Sequence, residues 1–227
     1  MFEMMLGKLA IVNEPPVAPG QSDYVTAGSF IWTCPADVYK VCVAVLGGGT
    51  SGFLSGPGYG GDGGALRYRN NVPVVPGGKY TITVGSGGVT RMDIYGGSYA
   101  ATGGGLSTAF GLEAGARSRG TAIGGNVFGF NGGAGIRSDN PRPWGRGGNP
   151  ASYTANGANN TTNSQAQGIS LKTGQLMGAL VGAGFGGIMY TPSLSADAKY
   201  SYAGGAGAVR IIWGTGRSFP SNNIGDM

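Results

Sequence analysis

The sequence predicts an all-β fold: an antiparallel β-sandwich of jelly-roll type that carries a large glycine-rich loop insertion. Three observations predict it. Short stretches alternate apolar and polar residues with a period of two. Turns bearing glycine or proline separate those stretches, and none of them has convincing helical spacing. Glycine supplies 49 of 227 residues, while only 11% are charged and 41% apolar. That is about three times ordinary glycine usage. It lacks the strict G-X-Y spacing of collagen, and 10% aromatic residues is too many for a disordered tail. The length suits one domain with a substantial core.

Residues 1–22 read as an arm. Phe2, Met5, Leu6, Leu9 and Ile11 make it apolar, and the prolines of "NEPPVAPGQS" keep its second half extended. An arm of this kind either docks onto something else or joins the protein's own sheet.

The sandwich is expected from residues 23–102 and 203–221. In "SFIWT", Phe30 and Trp32 share a face, and "CPAD" makes a turn. In "VYKVCVAVL", Val41, Val43 and Val45 share one face while Lys40, Cys42 and Ala44 point the other way. "ALRYR" turns Leu66 and Tyr68 inward and Arg67 and Arg69 outward. "VPGGKY" supplies a Pro-Gly turn into "KYTITVG", where Tyr80, Ile82 and Val84 alternate. "RMDIYGGSYAAT" reads as a hairpin turning at Gly96–Gly97, and "GAVRIIWG" places Val209, Ile211 and Trp213 together.

From residue 103 to 202 the alternation fades into a glycine-rich loop region. Each glycine costs roughly 0.5–1 kcal/mol of extra backbone entropy relative to alanine, so dozens of them need compensation. Two forms are open: left-handed φ in many tight turns, or polyproline-II-like glycine strands that hydrogen-bond sideways. Either makes an ordered scaffold poor in side chains.

"VCVAVLGGGTSG" (41–52) contains G-x-G-x-x-G, the mark of a dinucleotide site. Such a site needs a helix after its glycines, to hold pyrophosphate, and an acidic residue some twenty positions on. Here "FLSGPGYGGDGG" comes next, with Pro57 and six further glycines, and no Asp or Glu stands between Asp62 and Asp93. With Gly roughly 1 and Pro roughly 3 kcal/mol worse than Ala in a helix, the glycines are there for another reason. Lys79 fails as a P-loop lysine because Pro73 and Tyr80 occupy the required Gly and Ser/Thr positions. Histidine is absent, which removes His-based triads, bases and metal ligands. Asp62, Asp93, Glu113 and Asp139 sit in unrelated contexts rather than as a glycosidase pair. No enzyme activity, cofactor or metal is expected.

Cys34 and Cys42 read as buried free thiols. The net charge of +5 includes Arg117, Arg119, Arg137, Arg142 and Arg146, partly balanced by Glu113 and Asp139. Without a recognition motif or lysine runs this is a mildly basic surface, and nucleic acid is not an expected partner. The N-terminus lacks a basic region typical of secretion signals, and "LMGALVGAGFGGIM" is too short and glycine-rich to span a membrane. Synthesis in a reducing cytoplasm, without membrane insertion, is the expectation.

"AGSFIWTCPADVYKVCVAVLGGG", "ALRYRNNVPVVPGGKYTITVGSGG" and "GGAGAVRIIWGTGRSFPSNN" together resemble the glycine-rich domain of tailed-bacteriophage tail-fibre and adhesin-like proteins. The likeness covers about residues 24–102 and 203–221. The segment between agrees only in composition: it lacks long unbroken glycine runs, which suits variable exposed loops better than a regular lattice of glycine strands. The resemblance implies a virion protein at a tail-fibre tip or baseplate, assembled in the host cytoplasm. It implies other fibre or baseplate proteins as partners of the arm, and a bacterial surface polysaccharide or outer-membrane protein as receptor. A homotrimer is open, and so is a purely structural role as fibre cap, baseplate joint or capsid decoration. Rigid rings and guanidiniums lose little entropy on binding and suit sugars and acidic groups. Phe128, Phe130, Arg142, Trp144, Arg146 and Tyr153, then Tyr59 and Tyr190, are therefore the candidate receptor-binding residues. Phe128 and Phe130 read equally as plugs in the core of the loop region.

Overall fold

A computed structural model describes residues 16–54, 58–89, 91–93, 103–116, 127–135, 147–159, 166–179, 184–187, 189–190, 199–201, 203–220 and 223–227. Among them there is no helix, and every paired strand is antiparallel. The first sheet has the order β1 (Gly20–Tyr24), β16 (Ala208–Trp213), β3 (Lys40–Leu46), β6 (Leu66–Pro73) and β11 (Val127–Phe130). The second runs β10 (Leu112–Ala114), β9 (Ser107–Ala109), β7 (Lys79–Val84) and β2 (Gly28–Thr33). The arm gives way to strand at Gly20, earlier than the alternation indicates, because Gly20–Tyr24 pairs with Trp213–Val209.

Alternation places the core. Val41, Val43, Val45, Val209 and Ile211 of the first sheet meet Trp32, Ile82, Val84, Ala109 and Leu112 of the second. The β7 strand starts from the expected turn: Pro76 precedes Gly77 at φ 73°, and the Gly78 N–H closes onto the Val75 carbonyl at 2.8 Å. That is Pro and Gly in the two positions a type II turn requires. The first sheet is buried on its other face too. Cys42, Ala44, Leu46, Leu66, Tyr68 and Ile212 lie beneath Tyr153, Ile169, Leu171, Phe219 and Ile224. This is why "VCVAVL" is apolar at every position rather than at alternate ones.

Smaller pairings complete the chain: β4 (Phe53–Leu54) with β5 (Gly58–Tyr59), and β12 (Gln167–Ile169) with β13 (Leu176–Ala179). The strand β8 (Arg91–Asp93) pairs with β15 (Lys199–Ser201), which in turn pairs with β14 (Met189–Tyr190). Arg91–Asp93 thus takes a partner far along the chain, and the expected turn at Gly96–Gly97 lies outside the described residues.

The glycine-rich segments pack as a lattice, the second of the two compensations. Gly47 and Thr50 donate to Ala65 and Asp62; Gly61 and Gly64 donate to Gly187 and Gly184; Gly148 and Ala151 donate to Gly61 and Gly64. Each pair is three residues apart and addresses one neighbour, at 2.7–3.0 Å. A period of three is that of an extended polyproline-II helix, whose amides point in three directions, not of a β-strand. The strand at 61–65 accordingly bonds to segments at 47–50, 115, 133, 148–151 and 184–187, where a β-strand has at most two neighbours. A hydrogen-bonded lattice thus forms without long glycine runs, because its strands come from distant short segments. Glycine is needed for proximity. A Cβ at Gly64, whose φ is not left-handed, would collide with the Gly47 carbonyl oxygen.

Two buried arginines tie the last residues of the chain to the first sheet. Arg210, fully buried, donates Nη1 to both carboxylate oxygens of Asp23 at 2.5 Å, and Nε and Nη2 to the Ile224 carbonyl at 3.0 and 2.7 Å. Its Nη2 also reaches Asp226 at 3.2 Å. Arg217 donates to the carbonyls of Gly20, Asn223 and Gly225 and to Gln21 Oε1. Burial lowers its pKa, as does the neighbouring Arg210 charge. Residues 223–226 are thereby held against β1 and β16.

Gly64→Ala should lower unfolding stability by about 3 kcal/mol in denaturant titration, whereas Gly225→Ala, where a Cβ meets nothing within 4 Å, should stay within about 0.5 kcal/mol. Asp23→Ala leaves a buried guanidinium short of its main counter-charge and should cost about 3 kcal/mol by the same measurement. The Asp226 carboxyl is held below its ordinary value, first by the hydrogen bond from Lys172 at 2.6 Å and then by Arg210. A depressed folded value means its contribution is present at neutral pH and is lost as pH falls through that value. Asp226→Asn should therefore flatten the loss of stability seen on acidification below about pH 4.

Candidate functional site

The dinucleotide-like glycines are the first region the structure explains. The N–H groups of Gly47, Gly48, Gly49 and Thr50 donate to the carbonyls of Ala65, Gly105, Gly205 and Asp62. Amides already bonded to carbonyls offer a pyrophosphate nothing. Strands Phe53–Leu54 and Gly58–Tyr59 stand beside the position where a binding helix would start.

Polar side chains also accept hydrogen bonds from lattice amides. Asp62 Oδ1 accepts from Gly135 at 2.9 Å, Asn159 Oδ1 from Ala134 at 2.7 Å, Asn156 Oδ1 from Asn131 at 2.7 Å and Asn149 Oδ1 from Gln167 at 2.9 Å. Asn156 and Asn159 of the "NGANN" stretch thus have a structural duty as lattice caps.

The lattice also fixes where the candidate loop leaves and returns. Gly133 donates to the Asn149 carbonyl at 2.8 Å, and Gly148 donates to Gly61. The segments 131–135 and 147–150 are therefore bonded neighbours, and chain 136–146 connects them. Arg142, Trp144 and Arg146 lie in that connection, outside the described residues, as do the arm residues Phe2, Met5, Leu6, Leu9 and Ile11.

Phe128 is more than half exposed on the edge strand β11, its ring stacked on Tyr68 at a centroid distance of 5.3 Å and an angle of 20°. Phe130, two residues on, is partly buried against the second core. Arg67 secures this edge: Nη1 donates to the Leu66 and Phe130 carbonyls at 2.8 Å, and Nη2 to Asn131 Oδ1 at 3.1 Å. Its chain fills the space over Gly129, where a Cβ would strike Arg67 Cδ. Tyr59 is partly exposed in β5, and Tyr190 belongs to β14.

Tyr153 corrects the expectation. It is buried, stacked on Phe219 at 5.1 Å and edge-on to Tyr68 at 5.8 Å, and its hydroxyl donates to the Leu171 carbonyl at 2.9 Å. Burial pushes its pKa well up. A tyrosine in a glycine-poor gap of the lattice is there to roof the first sheet, not to meet a ligand. The two thiols are likewise interior: Cys34 and Cys42 are buried and free, Cys34 facing the Val38 carbonyl and Cys42 that of Arg217. Burial raises both pKa values, so they stand as protonated thiols, not nucleophiles. Among the described residues, no three Cys, Asp or Glu side chains gather as metal ligands.

A two-sheet sandwich continuing into a hydrogen-bonded glycine lattice defines a glycine-scaffolded β-domain. The chain belongs to the glycine-rich domain family, whose model matches residues 25–225. That match includes the middle segment as well as the flanking strands. No curated protein matches the chain.

Tyr153→Ala should lower stability by about 3–5 kcal/mol, the usual loss for a buried aromatic, while Phe128→Ala should lower it by about 1 kcal/mol; parallel thermal melts of the two variants distinguish a roof from a surface ring.

Proposed function

We propose that this protein is a non-enzymatic virion component of a bacteriophage tail, at a fibre tip or baseplate, that recognises a bacterial surface through loops carried on the glycine lattice. One observation carries the reading: the chain from 136 to 146 connects two lattice segments bonded directly to each other. The chain on either side of the stretch carrying Arg142, Trp144 and Arg146 is thus held by backbone hydrogen bonds. Holding the two ends of a binding segment together reduces the conformational entropy it gives up on binding. Trp144 offers a face for a sugar ring, and the arginines offer forks for phosphate or carboxylate groups of a surface polysaccharide. Resemblance in the strand motifs supports the virion setting. Phe128, exposed on β11 and backed by Tyr68, supplies a second ring on the described surface.

Immunogold electron microscopy of intact virions with an antibody to residues 103–200 tests the setting, and label at the distal end of the tail is expected. Label on the capsid or an inner baseplate ring overturns recognition in favour of a structural part. Substituting Arg142, Trp144 and Arg146 together by alanine should reduce adsorption to host cells at least tenfold while particles still assemble. Unchanged adsorption removes these residues from the site.

A further inference from the structure

The sandwich has two distinct ends. At one, β3 finishes at Leu46 opposite Ala208, and the chain passes straight into Gly47 and Gly207 of the lattice. At the other, Gly20 stands opposite Trp213, and Lys40 opposite Pro73. The arm enters at this second end, away from the lattice.

A groove of about 350 Å³ opens there, within the range of roughly 300–1,000 Å³ typical of ligand clefts. Its apolar lining includes Val17, Val38, Tyr39, Val41, Ile212 and Trp213. Val38, Val41 and Ile212 are buried, but Tyr39 is 56% exposed and Trp213 half-buried, so these two rings offer apolar surface beside the polar Asn71, Thr215 and Arg217. Lys40 supplies a charge at the same groove. Pro16 is itself part of the lining, so the chain preceding it begins at the groove.

We propose that this groove is the seat of the protein's own arm, residues 1–15, bound within the same chain. Three features select that occupant. The arm starts where the groove is, so no long tether is needed: Ile11, five residues before Pro16, reaches at most roughly 18 Å from it when extended. Its apolar residues Leu6, Leu9 and Ile11 suit the two rings the lining leaves accessible, exposed Tyr39 and half-buried Trp213. Its acidic Glu14, two residues before Pro16, lies within reach of Lys40. Seated there, the arm covers a surface that a free protein would otherwise expose to water. Release of the arm would uncover arm and groove together. This seating holds whatever receptor the loops recognise.

The test uses the full chain and a Leu6→Asp, Leu9→Asp, Ile11→Asp variant, compared by hydroxyl-radical footprinting read residue by residue in a mass spectrometer. Labelling of Tyr39 and Trp213 should rise at least threefold in the variant, with labelling of the buried Trp32 and Tyr68 unchanged. Lys40→Glu should give a smaller rise at the same two residues. Equal labelling in wild type and variant overturns the proposal and leaves the groove to a different protein. Light scattering after size exclusion separates the two ways the arm could be seated. A monomer in both forms supports seating within one chain, while a wild-type dimer that dissociates in the variant overturns it and puts the arm in a neighbouring copy's groove.

Discussion

The rest of the molecule depends on a hydrogen bond that repeats every third residue. In the lattice, backbone amides bond sideways to carbonyls of distant segments, and strands approach so closely that a single Cβ would strike a carbonyl oxygen. Glycine brings the entropic cost of its own flexibility, and the lattice offsets it through backbone pairing. This bonding makes the described segments between 103 and 207 a continuation of the sandwich. It also covers the first sheet, because Ala151 donates to Gly64 while Tyr153, two residues on, roofs Tyr68.

The lattice and the β1–β16 margin are held by different physics. At the lattice end the contacts are neutral, short and made by backbone. Along β1 and β16, the guanidiniums of Arg210 and Arg217 gather carbonyls and carboxylates from residues 20–23 and 223–226. A buried charge is tolerable only when its donors are satisfied, and every donor group of Arg210 has a partner. The strand β1 and the segment that follows β16 in sequence are therefore brought together in space.

Most of the sandwich was legible in the sequence because its strands follow a period of two. Phe30 and Trp32, Ile82 and Val84, and Val209 and Ile211 all face the core as their alternation indicates. The Ser107–Ala114 hairpin was not. Its two-residue turn places Phe110 at φ 51° and Gly111 at φ 76°. A large aromatic residue in left-handed backbone is costly, and alternation does not reveal what offsets it: the Phe110 ring packs on Tyr80 at 4.9 Å and Trp32 at 5.7 Å. The lattice was hidden for a related reason. Its partners are single residues spread over most of the chain, so no local window contains the pattern. Nor does a window distinguish a tyrosine that roofs a sheet from one that faces solvent, which is why Tyr153 reads as a surface ring until Phe219 and Leu171 are placed beside it.

The period of three sets a grammar for how such a chain can change length. Removing one residue from the strand at 61–65 would turn every later amide by a third of a revolution, toward the wrong neighbour. Removing three would return each amide to its old direction, one step along the axis. Within the strands, then, length is counted in triplets, while the connections between them are free of that count. Lineages carrying this architecture would accumulate single-residue insertions in the connections and only whole steps in the lattice, so the scaffold keeps its form while its loops are rewritten.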